Sequence, residues 1–205
     1  IRLLKLKNRA MNSIIESALN QSLSYQQYRD YHKSLVKEGK TSGSNHSEAL
    51  AGYTKLNDAR MRRWDKRYTP QNDFSALNPS ESEIWLVITE TWCGDAAQIV
   101  PVINKLAAQL DNVELRLVLR DEQPELMDKF LTNGARSIPK LIRLKRKNLA
   151  VLATWGARPK AAQPIVDDYK SSDDITPDMF KETLAKWYVK DNGSSVEQDF
   201  ALMLK

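Results

Sequence analysis

Residues 84–96 read IWLVITETWCGDA and decide the fold. The first five of these residues form a short apolar run rich in β-branched and aromatic side chains, which is typical of a strand buried on both faces. Beyond the run, apolar residues recur three and four positions apart, at Ile99, Ile103, Leu106 and Leu110, and this spacing predicts a helix. Cys93, the only cysteine of the chain, therefore lies where a buried strand passes into a helix.

Downstream of this helix the pattern predicts further strands and helices in alternation. The expected elements are a strand at 113–119, a short helix opened by Pro124 and closed near Gly134, two strands at 140–144 and 149–154, a helix at 176–188 and a last helix from about residue 195. Thr176 is the expected N-cap of the fifth of these, with Pro177 at the first helical position. Parallel strands joined by helices, followed by an antiparallel hairpin and a closing helix, predict an α/β domain.

Upstream, residues 1–68 are expected to be helical, with Ser24 capping one helix. A third helix over residues 47–64 is expected to turn an apolar face inward, made of Leu50, Tyr53, Leu56, Ala59 and Met61. The pattern changes at residues 78–82 (NPSES). We therefore predict a helical N-terminal extension over residues 1–78 and an α/β domain with C-terminal helices over residues 79–205.

Composition limits the possible partners. The net charge is +5, and basic residues cluster at 60–67 and 143–147, but neither cluster carries a stacking-aromatic motif, so we expect no nucleic-acid partner. No stretch approaches the roughly 18 apolar residues of a membrane span, so we expect no membrane partner. The basic start, IRLLKLKNRA, has no long apolar run and no small-residue cleavage site, and Met11 is a possible natural start. A single cysteine without an export signal indicates the cytoplasm.

Metal and cofactor sites are not indicated. The two histidines, His32 and His46, both lie in the N-terminal extension, and no His, Cys and Asp cluster has the spacing of metal ligands. The chain also has no glycine-rich phosphate loop. We expect no metal and no cofactor.

The position of Cys93 has chemical consequences. A cysteine at a helix N-terminus faces unpaired backbone N–H groups and the positive end of the helix dipole, and both favour the thiolate. We therefore expect a pKa below the value of about 8.5 of a free thiol, with Trp92 as an apolar flank for a partner. The alternative is that Cys93 is a small core residue without a chemical role.

Four segments resemble thioredoxins, in the same order and at similar distances. Residues 92–96 (WCGDA) resemble the WCGPC signature, and Pro101 stands where thioredoxins have the proline of the active-site helix. Residues 134–139 (GARSIP) resemble the segment that leads into the cis-proline, and residues 155–157 (WGA) the turn beside the substrate groove. The sequence is most similar to a bacterial thioredoxin-family branch with a single-cysteine motif. The resemblance covers residues 84–188 and implies the thioredoxin fold, a central mixed sheet flanked by helices.

The resemblance also implies roles for individual residues. Cys93 would be the catalytic, attacking sulfur. Pro139 would follow a cis peptide bond opposite Cys93, and Ile138 would offer its backbone to an extended partner. The implied substrate groove consists of Trp92, Gly94, Asp95, Ile138, Pro139 and Gly156.

Two departures from the family pattern put ordinary thioredoxin activity in doubt. The second, resolving cysteine is Ala96 here, and the buried aspartate six residues before the first cysteine is Val87. Glu90 or Asp95 could replace that proton acceptor, but we favour an exposed strand end for Glu90 and a plain helix N-terminal charge for Asp95. Arg136 is either a positive charge near the sulfur or an ordinary surface charge.

Three functions remain open from the sequence. A monothiol protein would carry out thiol–disulfide exchange, and its partner would be a protein or a low-molecular-weight thiol or disulfide. Its role would be in cell redox homeostasis. A binding module would hold an extended peptide in the groove without electron transfer. A scaffold would act through the N-terminal helices. The sequence gives no indication of the oligomeric state.

Overall fold

One mixed sheet forms the centre of the molecule. The computed structural model describes the backbone of residues 2–205 and the side chains of residues 9–205. The strands are β1 (Glu83–Thr89), β2 (Val113–Leu119), β3 (Lys140–Lys145) and β4 (Val151–Trp155), in the order β2-β1-β3-β4. Strand β1 pairs in parallel with β2 and antiparallel with β3, and β4 adds an antiparallel edge. The predicted α/β class and all four strands are confirmed.

Helices cover both faces of this sheet. They are α1 (Arg2–Asn20), α2 (Tyr25–Glu38), α3 (Glu48–Arg67), α4 (Gly94–Ala107), α5 (Pro124–Lys129), α6 (Gln163–Ser171), α7 (Pro177–Asp191) and α8 (Ser194–Leu204). Thr176 caps α7 and Pro124 opens α5, both as predicted. Helix α6 has no counterpart in the prediction, and α5 ends several residues before Gly134.

The apolar run in β1 explains why this strand is central. Every residue of β1 is buried, because the strand has a neighbour on each side and helices above and below. Val87, for example, is opposite Leu117 on β2 and Leu141 on β3. A strand in this position can be apolar on both faces without exposing any of its side chains.

The N-terminal extension is attached to the sheet edge. Ser24 caps α2 in a capping box with Gln27, as predicted for Ser24. Leu23, between α1 and α2, exchanges two backbone hydrogen bonds of 2.8 Å with Leu117 of β2. This short bridge partly covers an edge that would otherwise offer free backbone groups to another chain. The predicted boundary between residues 78 and 79 stays a prediction, although contacts cross it.

Helix α3 corrects one prediction. Its inward face consists of Thr54, Asn57, Asp58, Met61 and Trp64, whereas Leu56 is 46% exposed and Ala59 is also exposed. Of the five residues expected to face inward, only Met61 is buried. The reason is that α3 packs against α4 and against the segment that precedes α4. The polar side chains of α3 form hydrogen bonds with the backbone of that segment.

No helix in residues 2–205 is long and apolar enough to cross a membrane. The prediction about the basic segment at residues 1–10 concerns side chains that mostly lie outside the described residues.

Candidate functional site

Cys93 forms the N-cap of α4. Its sulfur accepts a hydrogen bond from the Ala96 backbone N–H, at 3.4 Å, and donates one to the carbonyl oxygen of Ile138, at 3.5 Å. The Ile138–Pro139 peptide bond is cis. The strand β1 delivers the cysteine to the start of α4, and the segment leading into β3 brings Ile138 against it. These are the neighbours that the resemblance to thioredoxins implies.

The expected low pKa of this thiol is wrong. Cys93 is only 7% exposed. Burial and, to a lesser extent, the negative charge of Asp95 raise the pKa of the Cys93 thiol to about 12, and the backbone N–H groups of Ala96 and Asp95 offset only part of this rise. Burial removes the water that would stabilise a thiolate, and this penalty exceeds the benefit of the helix N-terminus. The resting thiol is therefore protonated near neutral pH.

Asp95 is a buried anchor and not a plain terminal charge, contrary to the interpretation that we favoured. One carboxylate oxygen lies 2.7 Å from Arg158 Nη2, and the other accepts a hydrogen bond of 2.9 Å from the Tyr188 hydroxyl. Burial raises the pKa of Asp95, and Arg158 opposes this shift. Asp95 thus connects the first turn of α4 to the segment after β4 and to α7.

Glu90 is also buried, although we expected an exposed strand end. Its carboxylate accepts hydrogen bonds from the Ser42 hydroxyl and, at 2.9 Å, from the backbone N–H of Asp121. Burial raises the pKa of Glu90. Because these donors belong to the loop before α3 and to the segment after β2, Glu90 holds loops together. It forms no hydrogen bond to the Cys93 sulfur.

The N-terminal extension supports the segment before the cysteine. Asn57 of α3 donates a hydrogen bond of 2.9 Å to the Thr91 carbonyl oxygen, and the hydroxyls of Thr54 and Thr91 lie 3.1 Å apart. Ser42 accepts a hydrogen bond of 2.9 Å from the Thr91 backbone N–H. Sequence reasoning missed these contacts, but a signal was present: Thr54, Asn57, Asp58 and Met61 recur at helical spacing.

A cleft of about 400 Å³ opens beside the cysteine. Trp92, Cys93, Gly94, Asp95 and Ile138 line it, so five of the predicted residues meet at one surface. Its walls come from α3 and α7, through residues that we did not predict: Tyr53 and Arg60 on α3, and Phe180, Lys181, Leu184 and Tyr188 on α7. The guanidinium carbon of Arg120 lies 4.8 Å from the centre of the Trp92 ring.

Pro139 and Gly156, which were also predicted to form the groove, are not among the residues that line the cleft, but they lie close to each other. Gly156 has a φ of +116°, and a Cβ atom added to it would lie 2.2 Å from the Pro139 carbonyl oxygen. Only glycine fits this close approach of two backbone segments. Arg136 lines the cleft but forms a two-pronged ion pair with Asp128, with both contacts at 2.7 Å.

No group of three or more potential metal ligands occurs among the residues that the structure describes. The cysteine at the start of α4, the facing cis-proline and the mixed sheet together define a thioredoxin-like protein. The sequence model of the thioredoxin family matches residues 43–170, which is more than half of the chain. The chain belongs to the thioredoxin family.

Other comparisons add little on function. No curated protein matches the chain. Two solved structures are similar: an HIV epitope scaffold, with a TM-score of 0.46, and a protein of unknown function from Pseudomonas aeruginosa, with a TM-score of 0.45. Each is 16% identical, over 86% of this chain and 99% of the other chain. Neither likeness bears on the activity.

Proposed function

We propose that this chain is a monothiol thioredoxin-family protein, in which Cys93 exchanges disulfides with a protein or low-molecular-weight partner. One observation supports this most directly: the Cys93 sulfur caps α4, contacts the residue before the cis-proline and borders an open cleft. In keeping with the sequence, we also propose membership of the bacterial single-cysteine branch and action in the cytoplasm.

The chemistry requires two exchanges. In the first, the Cys93 thiolate attacks one sulfur of a partner disulfide, so that a Cys93–partner disulfide forms and the other partner sulfur leaves as a thiolate and takes up a proton. In the second, the thiolate of an external thiol attacks the partner's sulfur in the mixed disulfide, so that a disulfide forms between the external thiol and the partner, and Cys93 leaves as a thiolate and takes up a proton. The second step needs an outside thiol because Ala96 cannot supply one.

A high pKa slows this reaction without preventing it. A raised pKa leaves a smaller thiolate fraction near neutral pH than a free thiol has. Intrinsic nucleophilicity rises with pKa, but with a Brønsted coefficient of about 0.4–0.5 it compensates for only about half of this loss on a logarithmic scale. We therefore expect slow exchange with free disulfides and selectivity for partners that fit the cleft.

The test is capture of the mixed disulfide in cells that produce the protein. Because no internal cysteine releases the partner, acid-quenched, non-reducing gels should show the wild-type chain in larger species that collapse on reduction. Cys93→Ser should abolish these species, and Ala96→Cys should reduce them by supplying the missing second step. If the wild type forms none, the proposed exchange is wrong.

A second candidate is a groove that binds an extended peptide without electron transfer. The burial and protonation of Cys93 favour this function, since a protonated thiol that is hydrogen-bonded to Ile138 is a poor nucleophile and can serve as a fixed part of the cleft wall. Retrieval of the same partners by Cys93→Ser and by the wild type would select this alternative.

A further inference from the structure

The lining of the cleft beside Cys93 contains more cations than carboxylates. Five cationic side chains line it, whereas Asp95 is the one carboxylate among its lining residues. The cations are Arg60, Arg120, Arg136, Arg158 and Lys181. An imbalance of this kind, within partly apolar walls, concentrates negative charge from solution.

Four of these cations already have a carboxylate nearby. The pairs are Arg158 with Asp95 at 2.7 Å, Arg136 with Asp128 at 2.7 Å, Arg120 with Asp121 at 2.8 Å and Lys181 with Asp178 at 3.1 Å. They contribute to the field of the cleft but do not by themselves require a ligand.

Arg60 differs from the other four. Its side chain is half-buried, and no carboxylate among residues 9–205 lies within the 4.0 Å of an ion pair. The hydrogen bond that it makes goes to the neutral amide oxygen of Asn57, at 3.1 Å. A guanidinium that has lost part of its water without gaining a counterion is a ready partner for an anion.

Arg60 lies close to the segment that contains Cys93. One of its terminal nitrogens, Nη1, would lie 3.5 Å from a Cβ added to Gly94, the residue after the cysteine. Arg158 lies beside the same turn, where its Nη2 pairs with Asp95 at 2.7 Å. Both arginines act on the charge of Asp95, which places them around the first turn of α4.

We propose that this cleft binds a small carboxylate-bearing thiol or disulfide, with Arg60 as the donor to a carboxylate of the ligand. The apolar surfaces of Tyr53, Phe180 and Leu184 would cover the rest of the ligand, and a volume of about 400 Å³ suits a small molecule. The proposal that the ligand contains sulfur rests on the proposed exchange at Cys93, whereas the proposal that it carries a negative charge rests on Arg60 and the excess of cations in the cleft lining. The N-terminal extension supplies Arg60 and is therefore part of the binding site.

The experiment uses S-methylglutathione, which has two carboxylates and a blocked sulfur that cannot exchange. Isothermal titration should show binding to the wild-type chain, and the diethyl ester of the same compound, which lacks both carboxylate charges, should bind at least tenfold more weakly. Arg60→Gln should weaken binding of S-methylglutathione about tenfold or more, and Arg60→Lys should restore part of it. Arg63→Gln is the matched control, because Arg63 is an exposed arginine on the same helix.

Three results would overturn the proposal: no binding of S-methylglutathione, equal binding of its diester, or equal binding by Arg60→Gln with an unchanged melting temperature. Failure of exchange at Cys93 is recognised separately, because the blocked probe reports binding without any thiol chemistry. If the chain binds the probe through Arg60 but never forms a mixed disulfide, the proposed anion site is supported and the proposed exchange is wrong.

Discussion

At the scale of the residue, two opposing effects meet at Cys93. The helix N-terminus contributes about 0.3–1 kcal/mol in favour of a negative charge. Each pKa unit corresponds to about 1.36 kcal/mol, so burial and the neighbouring Asp95 outweigh that contribution several-fold. The protonated state follows from this comparison, and the sequence shows only the helix N-terminus.

Asp95→Asn should make Cys93 more reactive. The change removes the carboxylate that raises the thiol pKa and leaves the Arg158 cation without its partner, and both effects favour the thiolate. We expect alkylation by iodoacetamide near pH 8 to become about tenfold faster. Asp111→Asn, at an exposed position, should leave the rate unchanged.

The same variant should be less stable by about 1–3 kcal/mol in chemical denaturation. This is below the cost of breaking a fully buried pair, because the Arg158 side chain is 29% exposed. Slower or unchanged labelling of folded Asp95→Asn would show that Asp95 does not control the thiol.

Gly156→Ala should destabilise the fold by about 2 kcal/mol or more, because the added methyl group meets the Pro139 carbonyl oxygen and the backbone has a positive φ. Urea denaturation measures the effect. Gly52→Ala is the matched control: Gly52 lies in α3 with nothing near its added Cβ, so this change should be neutral or stabilising by up to about 1 kcal/mol. Equal stability of the two variants would contradict the close approach.

At the scale of the element, α3 shows where sequence reasoning succeeds and fails. The strands and the caps at Ser24 and Thr176 follow from local composition, and they were predicted. The face of α3 was not, because polar residues and apolar residues both recur at helical spacing along it. The apolar pair Leu50 and Tyr53 lines the cleft, whereas the polar residues face the segment before Cys93. Only the tertiary partner decides between two such faces.

The residues of the candidate site also fall into those that the sequence predicted and those that it did not. Cys93 and Pro139 were predicted together because the family motifs fix both positions. Asp95 was assigned the wrong environment, since its partners Arg158 and Tyr188 lie far along the chain and no local pattern connects them to it. Arg60 was noted only as part of a basic cluster. Its place in the cleft depends on how α3 packs on α4.

Asn57→Leu tests the polar face of α3. The substitution leaves the buried Thr91 carbonyl oxygen without its side-chain donor, which should cost about 1–3 kcal/mol in the free energy of unfolding. Leu56→Asn, at the adjacent exposed position, should change stability by less than about 0.5 kcal/mol. Denaturant titration of both variants gives the comparison, and a neutral Asn57→Leu would mean that α3 does not hold the segment in place.

At the scale of the whole molecule, the extension and the thioredoxin-like part share one site. Leu23 pairs with the sheet edge, α3 packs on α4, and Tyr53 and Arg60 form a wall of the cleft. The segments that follow β1 and precede β3 provide the cysteine and the cis-proline, and α3 and α7 line the cleft beside the cysteine. The candidate site is therefore formed by both parts of the chain and not by the motif at residues 92–96 alone.

Exchange at Cys93 changes the mass of the intact protein, because each mixed disulfide adds the mass of the attached group. The reduced, folded chain is incubated with 2-hydroxyethyl disulfide, which is neutral and independent of the arginines, from about pH 7 to about pH 10. We predict a single adduct that a reductant removes, formed about tenfold faster for each pH unit with no plateau near 8.5, because the thiol pKa is raised to about 12. Cys93→Ser should form none. A folded chain that gains no adduct anywhere in this range, while the urea-unfolded chain reacts, would contradict a thiol-exchange function.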